Sequence, residues 1–280
     1  YLLISENLAQ YCSGSTRLKL TQAKMRSIPV PIPFKDGKPD LAEQRRIADK
    51  LGKVFAEVEK AKKSISYATH KEIQFKLSLL NEIFNDKSFG KITLENITTR
   101  MKAGGTPNTA TKNYWGGKIP FVKISDITAS EKYLEHTALT ITQDGVNNSS
   151  TWIVPEGSLI LSMYGTVGKV VINKMPVAIT QNMAGIIPDE KKVLPEYLYY
   201  ALNFVETNVL QGFLKTSVHK HFGIGEANKI PIPIPQKNGT PDLAEQGHIV
   251  EMLDRAFACS EKLGNLFEKQ AGLFSSLRSS

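Results

Sequence analysis

Ile28-Pro-Val-Pro-Ile-Pro-Phe-Lys-Asp-Gly-Lys-Pro-Asp-Leu-Ala-Glu-Gln44 is the stretch that determines how this chain is organised, because it occurs twice. The second copy is Ile230-Pro-Ile-Pro-Ile-Pro-Gln-Lys-Asn-Gly-Thr-Pro-Asp-Leu-Ala-Glu-Gln246, at an offset of 202 residues and without a gap. Between Ile28–Leu51 and Ile230–Leu253, 15 of 24 positions are identical. A repeat of this length predicts that the chain forms the same structural unit twice.

Each copy has the same local chemistry. Three prolines at alternate positions hold the backbone extended and forbid a helix. A Lys-Asp-Gly-Lys-Pro or Lys-Asn-Gly-Thr-Pro turn follows. Asp40 and Asp242 are then expected to cap a helix, with Glu43 and Glu245 completing a capping box three residues later. Each copy therefore predicts an extended arm, a turn and the start of a helix.

The helices predicted after the two copies are long and carry matched apolar stripes. The first stripe runs from Ile47 to Leu79 and the second from Ile249 to Leu277, both with the 4-3 spacing of a coiled coil. A single stripe is also compatible with an amphipathic helix on an ordinary core. Two matched stripes of roughly 40 residues, about 60 Å at 1.5 Å per residue, favour helices that pair with each other. The residues expected to pair are Leu51, Val54, Val58, Ile65, Leu253, Leu263, Phe267 and Phe274.

Between the two copies the pattern is mixed α/β. Ile119–Ile124, Ser158–Ser162 and Lys169–Ile172 are predicted strands. Leu194–Asn203 is a predicted helix that begins at Pro195. Residues 1–33 are similar to the end of such a domain. They stand before the first proline arm, just as the end of the α/β domain stands before the second proline arm.

Composition and charge narrow the class of protein. The formal net charge of +8 suits a polyanionic partner, though only weakly. From Gln44 to Lys76 there are nine Lys/Arg against four Asp/Glu, a net +5, so the basicity is concentrated on the first helix. No stretch approaches the ~18 consecutive apolar residues of a membrane helix, which predicts a protein with no membrane partner. Cys12 and Cys259 form no disulfide framework or metal cluster, which favours a reducing, cytoplasmic location.

The order of several short motifs resembles the specificity subunit of Type I restriction–modification systems, over nearly the whole chain. Such subunits carry two target-recognition domains joined by two antiparallel helices. The resemblance implies that each domain recognises half of a bipartite double-stranded DNA site, and that methyltransferase and restriction subunits supply the chemistry. The motifs are Gly105-Thr106-Pro107, Tyr114 to Phe121, Pro155 to Ser162 running into Gly165 to Lys169, Thr180-Gln181-Asn182, Tyr197 to Tyr200, and the Pro-x-Pro…Glu-Gln entry to each helix.

The resemblance implies a fold class and a set of domains. The fold is expected to be an α/β (α+β) target-recognition domain plus two long antiparallel coiled-coil helices. Only one recognition domain is complete, so a fragment and a half-length subunit are both possible, as is a homodimer through the helices. The expected segments are 1–33, the C-terminal remnant of a first target-recognition domain; 34–88, the proline arm, turn and first helix; 89–235, the complete target-recognition domain; and 236–280, the second turn and helix.

Candidate DNA contacts cluster first in a polar, glycine-rich stretch from Arg100 to Lys118. Loops on a rigid scaffold usually carry base contacts. Lys or Arg donates to guanine, and Thr meets the thymine methyl. The aromatic Trp115 and Phe121 are more simply interpreted as core residues. The candidates here are Arg100, Lys102, Thr106, Lys112, Tyr114 and Lys118.

Residues Gly165 to Lys169 resemble a phosphate-binding loop. However, a Walker A motif also needs a glycine at the position that Met163 occupies. A hairpin turn between the flanking strands is the better interpretation. Tyr164, Thr166 and Lys169 can contact DNA from such a turn.

The remaining candidates carry amide, hydroxyl and imidazole groups. Gln181 and Asn182 can recognise adenine, or can equally form internal hydrogen bonds. His219 and His221 lie two residues apart, hence on opposite faces of a helix, and no acidic or cysteine cluster accompanies them, so a metal site is not predicted. Ser217, His219 and Lys220 are better interpreted as phosphate or base contacts.

Catalytic and cofactor motifs are missing from the sequence. We find no Asn/Asp-Pro-Pro-Tyr/Phe methyltransferase signature, no nucleotide-binding glycine loop and no acidic pair spaced for acid–base chemistry. The sequence therefore predicts a non-catalytic subunit that needs no cofactor. A coiled-coil scaffold without DNA recognition is the first alternative, and a standalone DNA-modifying enzyme the second.

Overall fold

The computed structural model describes residues 11–13, 19–165, 167–206 and 222–276. The chain forms two compact units, one of Tyr1–Glu72 with Ser260–Ser280 and the other of Ile73–Cys259. The helices are α1 (Gln22–Arg26), α2 (Leu41–Phe84), α3 (Ile124–Ala129), α4 (Gln143–Asn147), α5 (Pro195–Val205), α6 (Ile224–Asn228) and α7 (Leu243–Ser276). None of the helices within the described ranges is both long and apolar enough to cross a membrane.

The strands are short and most lie in the unit Ile73–Cys259. They are β1 (Phe34–Lys35), β2 (Lys38–Pro39), β3 (Gly90–Thr93), β4 (Thr98–Ala103), β5 (Trp115–Val122), β6 (Tyr133–Leu134), β7 (Leu139–Ile141), β8 (Ile153–Val154), β9 (Leu159–Ser162), β10 (Val170–Asn173), β11 (Val177–Ile179), β12 (Met183–Pro188), β13 (Pro231–Ile234), β14 (Gln236–Lys237) and β15 (Thr240–Pro241).

The turn that follows each proline arm is a two-residue hairpin. β1 and β2 are joined by Asp36 and Gly37, with φ values of 51° and 75°. β14 and β15 are joined by Asn238 and Gly239, with φ values of 55° and 78°. Positive φ at both central positions is the geometry of a type I′ turn, for which Asp-Gly and Asn-Gly are favoured. The repeated turn predicted from the sequence is confirmed.

Both predicted N-caps are present, but the capping box is not. The Asp40 carboxylate accepts a hydrogen bond from the Glu43 backbone N–H at 2.9 Å, and Asp242 caps α7 in the same way. The backbone N–H of Asp40 does not reach the Glu43 side chain, because it donates to the Pro33 carbonyl at 2.8 Å. The hairpin brings that carbonyl back to the helix start, and Pro235 does the same for Asp242. The predicted hydrogen bond from the Asp40 backbone N–H to the Glu43 side chain was therefore wrong.

The two long helices run antiparallel. α2 has 44 residues and α7 has 34. Within Ile73–Cys259, the Lys76 ammonium lies 5.4 Å from the centroid of the Phe257 ring. In the other unit, the Glu72 carboxylate approaches Gly264 so closely that a Cβ there would lie 2.7 Å from Oε2. Each unit therefore contains a contact between α2 and α7.

The pairing seam is the apolar face of α2 and α7 that is predicted to pair, and burial varies along it. Val58 and Leu253 are buried, whereas Val54 and Leu263 are 43% and 54% exposed. Both Leu51–Val54–Val58 and Leu51–Phe55–Val58 satisfy a 4-3 spacing, and Phe55 is half-buried. On α7, Gly264 faces Glu72 and turns the preceding Leu263 outward. Leu51 and Ile65 are half-buried, and the side chains of Phe267 and Phe274 lie outside the described residues.

Two sheets form the centre of the unit Ile73–Cys259. One has the strand order β4-β12-β9-β10-β6 and the other β7-β5-β11-β8. β10 pairs with β6 and β11 with β5 in parallel, and the other pairs are antiparallel. The predicted strands correspond to β5, β9 and β10, so the mixed α/β fold class is confirmed.

The largest hydrophobic core joins the sheets to the long helices. α5 begins at Pro195, as predicted, and buries Tyr197 and Leu198. The same core contains Phe84 from the end of α2 and Leu253 from α7. Burying an apolar side chain of this size contributes about 1.5–3 kcal/mol. The α/β layer and the helix segments that belong to its unit are therefore one packed body.

Candidate nucleic-acid interface

A glycine pair brings the end of β4 against β11. A Cβ on Gly104 would lie 2.1 Å from the Ile179 carbonyl oxygen, and a Cβ on Gly105 would lie 2.0 Å from Ser150 Oγ. Only glycine permits such close backbone approach. The Gly105 N–H donates to the Ile179 carbonyl at 3.0 Å, which fixes the following residue, Thr106, beside the turn after β11.

Thr106 and Gln181 meet across this junction. The Thr106 hydroxyl donates to Gln181 Oε1 at 2.5 Å, although the residues are 75 positions apart in the sequence. Both side chains are exposed. The hydroxyl fixes the orientation of the amide, so that Gln181 Nε2 and the second lone pair of Oε1 remain available. Gln181 therefore makes the internal hydrogen bond that was one of its two predicted roles and can still make outward hydrogen bonds.

The pair lies on a cleft of about 360 Å³. Trp115 packs edge-on against Phe121, with ring centroids 5.4 Å apart, and donates from Nε1 to the Asn108 carbonyl at 3.2 Å. Phe121 is fully buried and Trp115 partly so, which makes them the apolar floor. The lining residues are Thr106, Thr109, Trp115, Phe121, Lys123, Leu139, Thr180, Gln181 and Asn182.

Three cleft residues are not among those predicted from the sequence: the polar Thr109 and Lys123, and the apolar Leu139. Lys123 directly follows β5 and precedes α3, where the Asp126 carboxylate accepts from its backbone N–H at 2.8 Å. Its side chain is exposed at the mouth of the cleft. One sequence signal could have indicated Lys123. It is a basic residue at the end of a strand, followed three residues later by an Asp.

The hairpin turn between β9 and β10 lies next to the same cleft. The Met163 N–H donates to the Asn182 carbonyl at 2.8 Å, which ties the two turns together. Gly165 and Gly168 have φ values of 76° and 94°, as a tight turn requires. β9 and β10 are antiparallel neighbours, so the predicted hairpin is confirmed and a phosphate loop is excluded.

The candidates on that turn occupy different environments. Tyr164 is exposed and Lys169 is half-buried, and neither lines the cleft. Thr166 lies outside the described residues.

Arg100 and Lys102 extend a basic surface along β4. Both are exposed and, being two residues apart on a strand, lie on one face. The Arg100 guanidinium stacks over the Trp152 ring at 4.6 Å from its centroid. Such cation–π contact restricts the guanidinium while leaving its N–H groups free to donate.

Lys112, Tyr114 and Lys118 do not line the cleft. Lys112 and Lys118 are exposed, and Tyr114 is half-buried where its carbonyl accepts from the Thr142 N–H at 2.9 Å. The structure therefore places these candidates outside the cleft.

The predictions on Ser217, His219 and Lys220, and the rejected metal pair of His219 with His221, all lie outside the described residues. In the part of the chain that is described, no group of three or more His, Cys, Asp or Glu side chains could hold a metal ion.

An α/β domain that gathers amide, hydroxyl and basic side chains around a cleft, and that is held on long antiparallel helices, is typical of a DNA-recognition protein with a helical spacer. The sequence matches the family model described as "Type I restriction modification DNA specificity domain" over residues 1–66 and 87–266. The chain therefore belongs to this family, which confirms the resemblance found in its motifs.

Curated relatives carry the same description. The chain is 28% identical over 199 residues to the Type I restriction enzyme MjaIX specificity subunit of Methanocaldococcus jannaschii, covering 67% of this chain and 44% of that protein. It is 26% identical over 253 residues to the EcoR124I/EcoR124II specificity subunit of Escherichia coli, covering 84% and 57%. The chain thus spans about half the length of these relatives.

Solved structures support the fold. A chain from a study of the assembly and conformational transition of the type I R-M system superposes with a TM-score of 0.66 at 20% identity, covering 93% of this chain and 65% of that one. The HsdS subunit from Thermoanaerobacter tengcongensis gives a TM-score of 0.54 at 18% identity, covering 99% and 65%. At these identities the likeness concerns the fold alone.

Proposed function

We propose that this chain is a sequence-specific DNA-binding subunit of a Type I restriction–modification complex, and that its α/β domain recognises one half of the DNA target. The observation that carries the proposal is the Thr106–Gln181 hydrogen bond at the cleft, since it holds an exposed amide in one orientation. Family membership and the relatives' names support the same conclusion.

The cleft has the chemistry for base contacts. Gln or Asn can bind adenine through N6 and N7, Lys can donate to guanine O6 and N7, and Thr can contact the thymine methyl. Gln181 and Asn182 supply the amides, and Lys123 supplies the cation. Because Gln181 Oε1 has two lone pairs, it can accept from Thr106 and from adenine at once.

Phosphate contacts are assigned to the basic residues around the cleft. Such contacts fix register without carrying sequence information. Tyr114 and Tyr164, although uncharged, can donate to phosphate through their hydroxyls. The proposed residues are Arg100, Lys102, Lys112, Tyr114, Lys118, Tyr164 and Lys169. Thr166, Ser217, His219 and Lys220, which lie outside the described residues, are also proposed as DNA contacts.

We propose that the enzymatic steps belong to partner subunits. Methyltransferase subunits dock along the helices and a restriction subunit joins the complex, while this chain contributes recognition and needs no cofactor. The limits 1–33, 34–88, 89–235 and 236–280 are retained as the proposed domains.

The two repeat copies indicate where a second recognition domain belongs. In the second copy Ile232 and Ile234 are fully buried, and β13 pairs with β3. Their equivalents in the first copy, Val30 and Ile32, are 47% and 45% exposed. The first copy therefore has an apolar arm that a second domain of this kind would cover. Either a first domain on the same polypeptide or a second copy of this chain, paired through the helices, would supply it.

Methylation mapping tests the proposal. The chain is combined with its cognate methyltransferase and offered a library of duplexes. We expect methylation at one defined sequence, and none by the chain alone. Methyl transfer without a partner would favour an enzyme. Assembly with the methyltransferase but no sequence preference in DNA binding would favour a scaffold.

A further inference from the structure

α2 carries a regular basic stripe on the part of its surface away from the seam. Arg46, Lys53 and Lys60 recur at seven-residue intervals and are followed by Tyr67 at the same heptad position. All four side chains are exposed. Residues seven apart lie above one another on a helix that pairs with a 3.5-residue period, so they form one line along its surface.

A second line lies four residues further along and completes the stripe. It contains Lys50 and Lys71, with Glu57 and Ser64 between them, and all four are exposed. The stripe, defined as the eight residues of these two lines, therefore carries five cations against the single acid Glu57. The cations are Arg46, Lys50, Lys53, Lys60 and Lys71. By contrast, the seam residues Val58 and Ile65 point away from both lines.

Most of these charges form no ion pair with the residues that the structure describes. Arg46 is paired with Glu43 at 2.6 Å, and the Lys71 ammonium lies 5.4 Å from the centroid of the Tyr67 ring. Lys50, Lys53 and Lys60 have no ion-pair partner among the residues that the structure describes. Charges left unpaired along one line are available to an external polyanion.

We propose that this stripe contacts the DNA phosphate backbone between the two halves of the target. The inference rests on the proposed function and extends the DNA contact from the recognition domain to the helical spacer. From Arg46 to Lys71 the helix rises about 38 Å at 1.5 Å per residue. One turn of duplex is about 34–36 Å, so the stripe is long enough to follow one turn of backbone.

Duplex DNA fits the stripe better than an acidic protein does. Protein interfaces have cores depleted in Lys and enriched in apolar and aromatic side chains. The stripe has Tyr67 as its one aromatic residue, and that ring is engaged by Lys71. Repeated cations at regular spacing match a partner whose charge is itself repeated along its length.

The test measures how DNA affinity of the methyltransferase complex depends on salt. K53Q/K60Q removes two stripe charges, and K62Q is the matched control. Lys62 lies on the same helix, away from the stripe, and is paired with Glu59 at 3.0 Å. Lys and Gln have similar helix propensity, so circular dichroism should be unchanged. Affinity is measured from about 50 to 200 mM salt for target and non-target duplexes.

Each lost phosphate contact lowers the slope of log affinity against log salt by about 0.9. We expect the K53Q/K60Q slope to be less steep by about 1.8 on both duplexes, and the K62Q slope to equal that of the wild type. Equal slopes for the double variant and the wild type overturn the inference, as does loss of methyltransferase assembly with unchanged slopes. If the wild-type complex shows no preference for any target, the proposed function fails. The slopes on non-target duplexes still test whether the stripe contacts DNA.

Discussion

The Gln246 side chain accepts a hydrogen bond at Oε1 from the backbone N–H of Leu194, at 3.0 Å. Its Nε2 donates to the Lys192 carbonyl at 3.0 Å. Gln246 is fully buried on α7, while Leu194 directly precedes α5. One amide thus connects the second long helix to the helix that covers the sheet.

Replacing Gln246 with Ala should destabilise the protein strongly. Two partly buried backbone groups would lose their partner, at about 1–3 kcal/mol in total, because water reaches each of them in part. Gln44, the same residue in the first repeat copy, is half-buried and has no side-chain hydrogen bond among the described residues. Gln44→Ala should cost less than about 0.5 kcal/mol. Urea unfolding measures both, and equal losses would contradict the assigned role of Gln246.

Asp254→Asn should weaken the attachment of α7 to the sheet edge. Lys132, 14% exposed, is paired with the Asp254 carboxylate at 2.5 Å and lies 4.7 Å from the Tyr200 ring centroid. The substitution leaves Lys132 without its counter-ion, which we expect to cost about 1–3 kcal/mol, because Asp254 is itself partly exposed. Burial raises the pKa of neighbouring Tyr133 to about 12, with Glu196 adding to the effect, so Tyr133 stays neutral and cannot replace the anion.

Glu251→Gln is the matched control for Asp254. Glu251 lies one turn earlier on α7 and is paired with Arg255 in an ion pair whose side chains are 69% and 81% exposed. Exposed pairs of this kind contribute about 0–1 kcal/mol. A thermal or urea unfolding comparison in which both variants lose the same free energy would show that the Lys132 pair is no more than a surface interaction.

The position of the seam on α2 can be tested with two valines. Val58 is 6% exposed and Val54 is 43% exposed. Val58→Glu places a charge in the seam and should lower the free energy of unfolding by more than about 2 kcal/mol. Val54→Glu should change it by less than about 0.5 kcal/mol, since the new side chain meets water. If Val54→Glu is the more damaging change, Val54 rather than Val58 lies on the packed face of α2.

Gln181→Ala should reduce recognition at one position of the DNA site. Loss of a bidentate amide contact costs about 1–3 kcal/mol, which corresponds to about 5- to 150-fold in affinity. Thr106→Val should have a smaller effect in the same direction, because it removes only the hydrogen bond that orients the amide. Affinities are measured on target duplexes with single base-pair changes, using the methyltransferase complex.

The control for Gln181 is Gln143→Ala. Gln143 is exposed, donates to Asn147 on its own helix, and does not line the cleft. Its replacement should leave both affinity and base preference unchanged. If Gln181→Ala weakens all duplexes equally, Gln181 supports binding without contributing specificity.

The sequence by itself determined the features whose causes are local. Asp36-Gly37 and Asn238-Gly239 adopt positive φ because those residue types tolerate it, and Asp40 and Asp242 cap helices because the carboxylate reaches an amide three residues away. The repeat also revealed the matched helices, since the same residues in the same order favour the same local structure.

Only the tertiary structure decided features that depend on strand pairing and on which face of a helix is covered. Thr106 and Gln181 are brought together by the packing of Gly104 and Gly105 against β11, and no local pattern encodes that approach. Phe55 is half-buried whereas Val54 is 43% exposed, and a 4-3 pattern permits either residue on the apolar face, so the sequence alone does not choose between them. The capping box failed because of the folded hairpin. The hairpin places the Pro33 carbonyl next to the Asp40 backbone N–H, so this carbonyl and not the Glu43 side chain accepts the hydrogen bond.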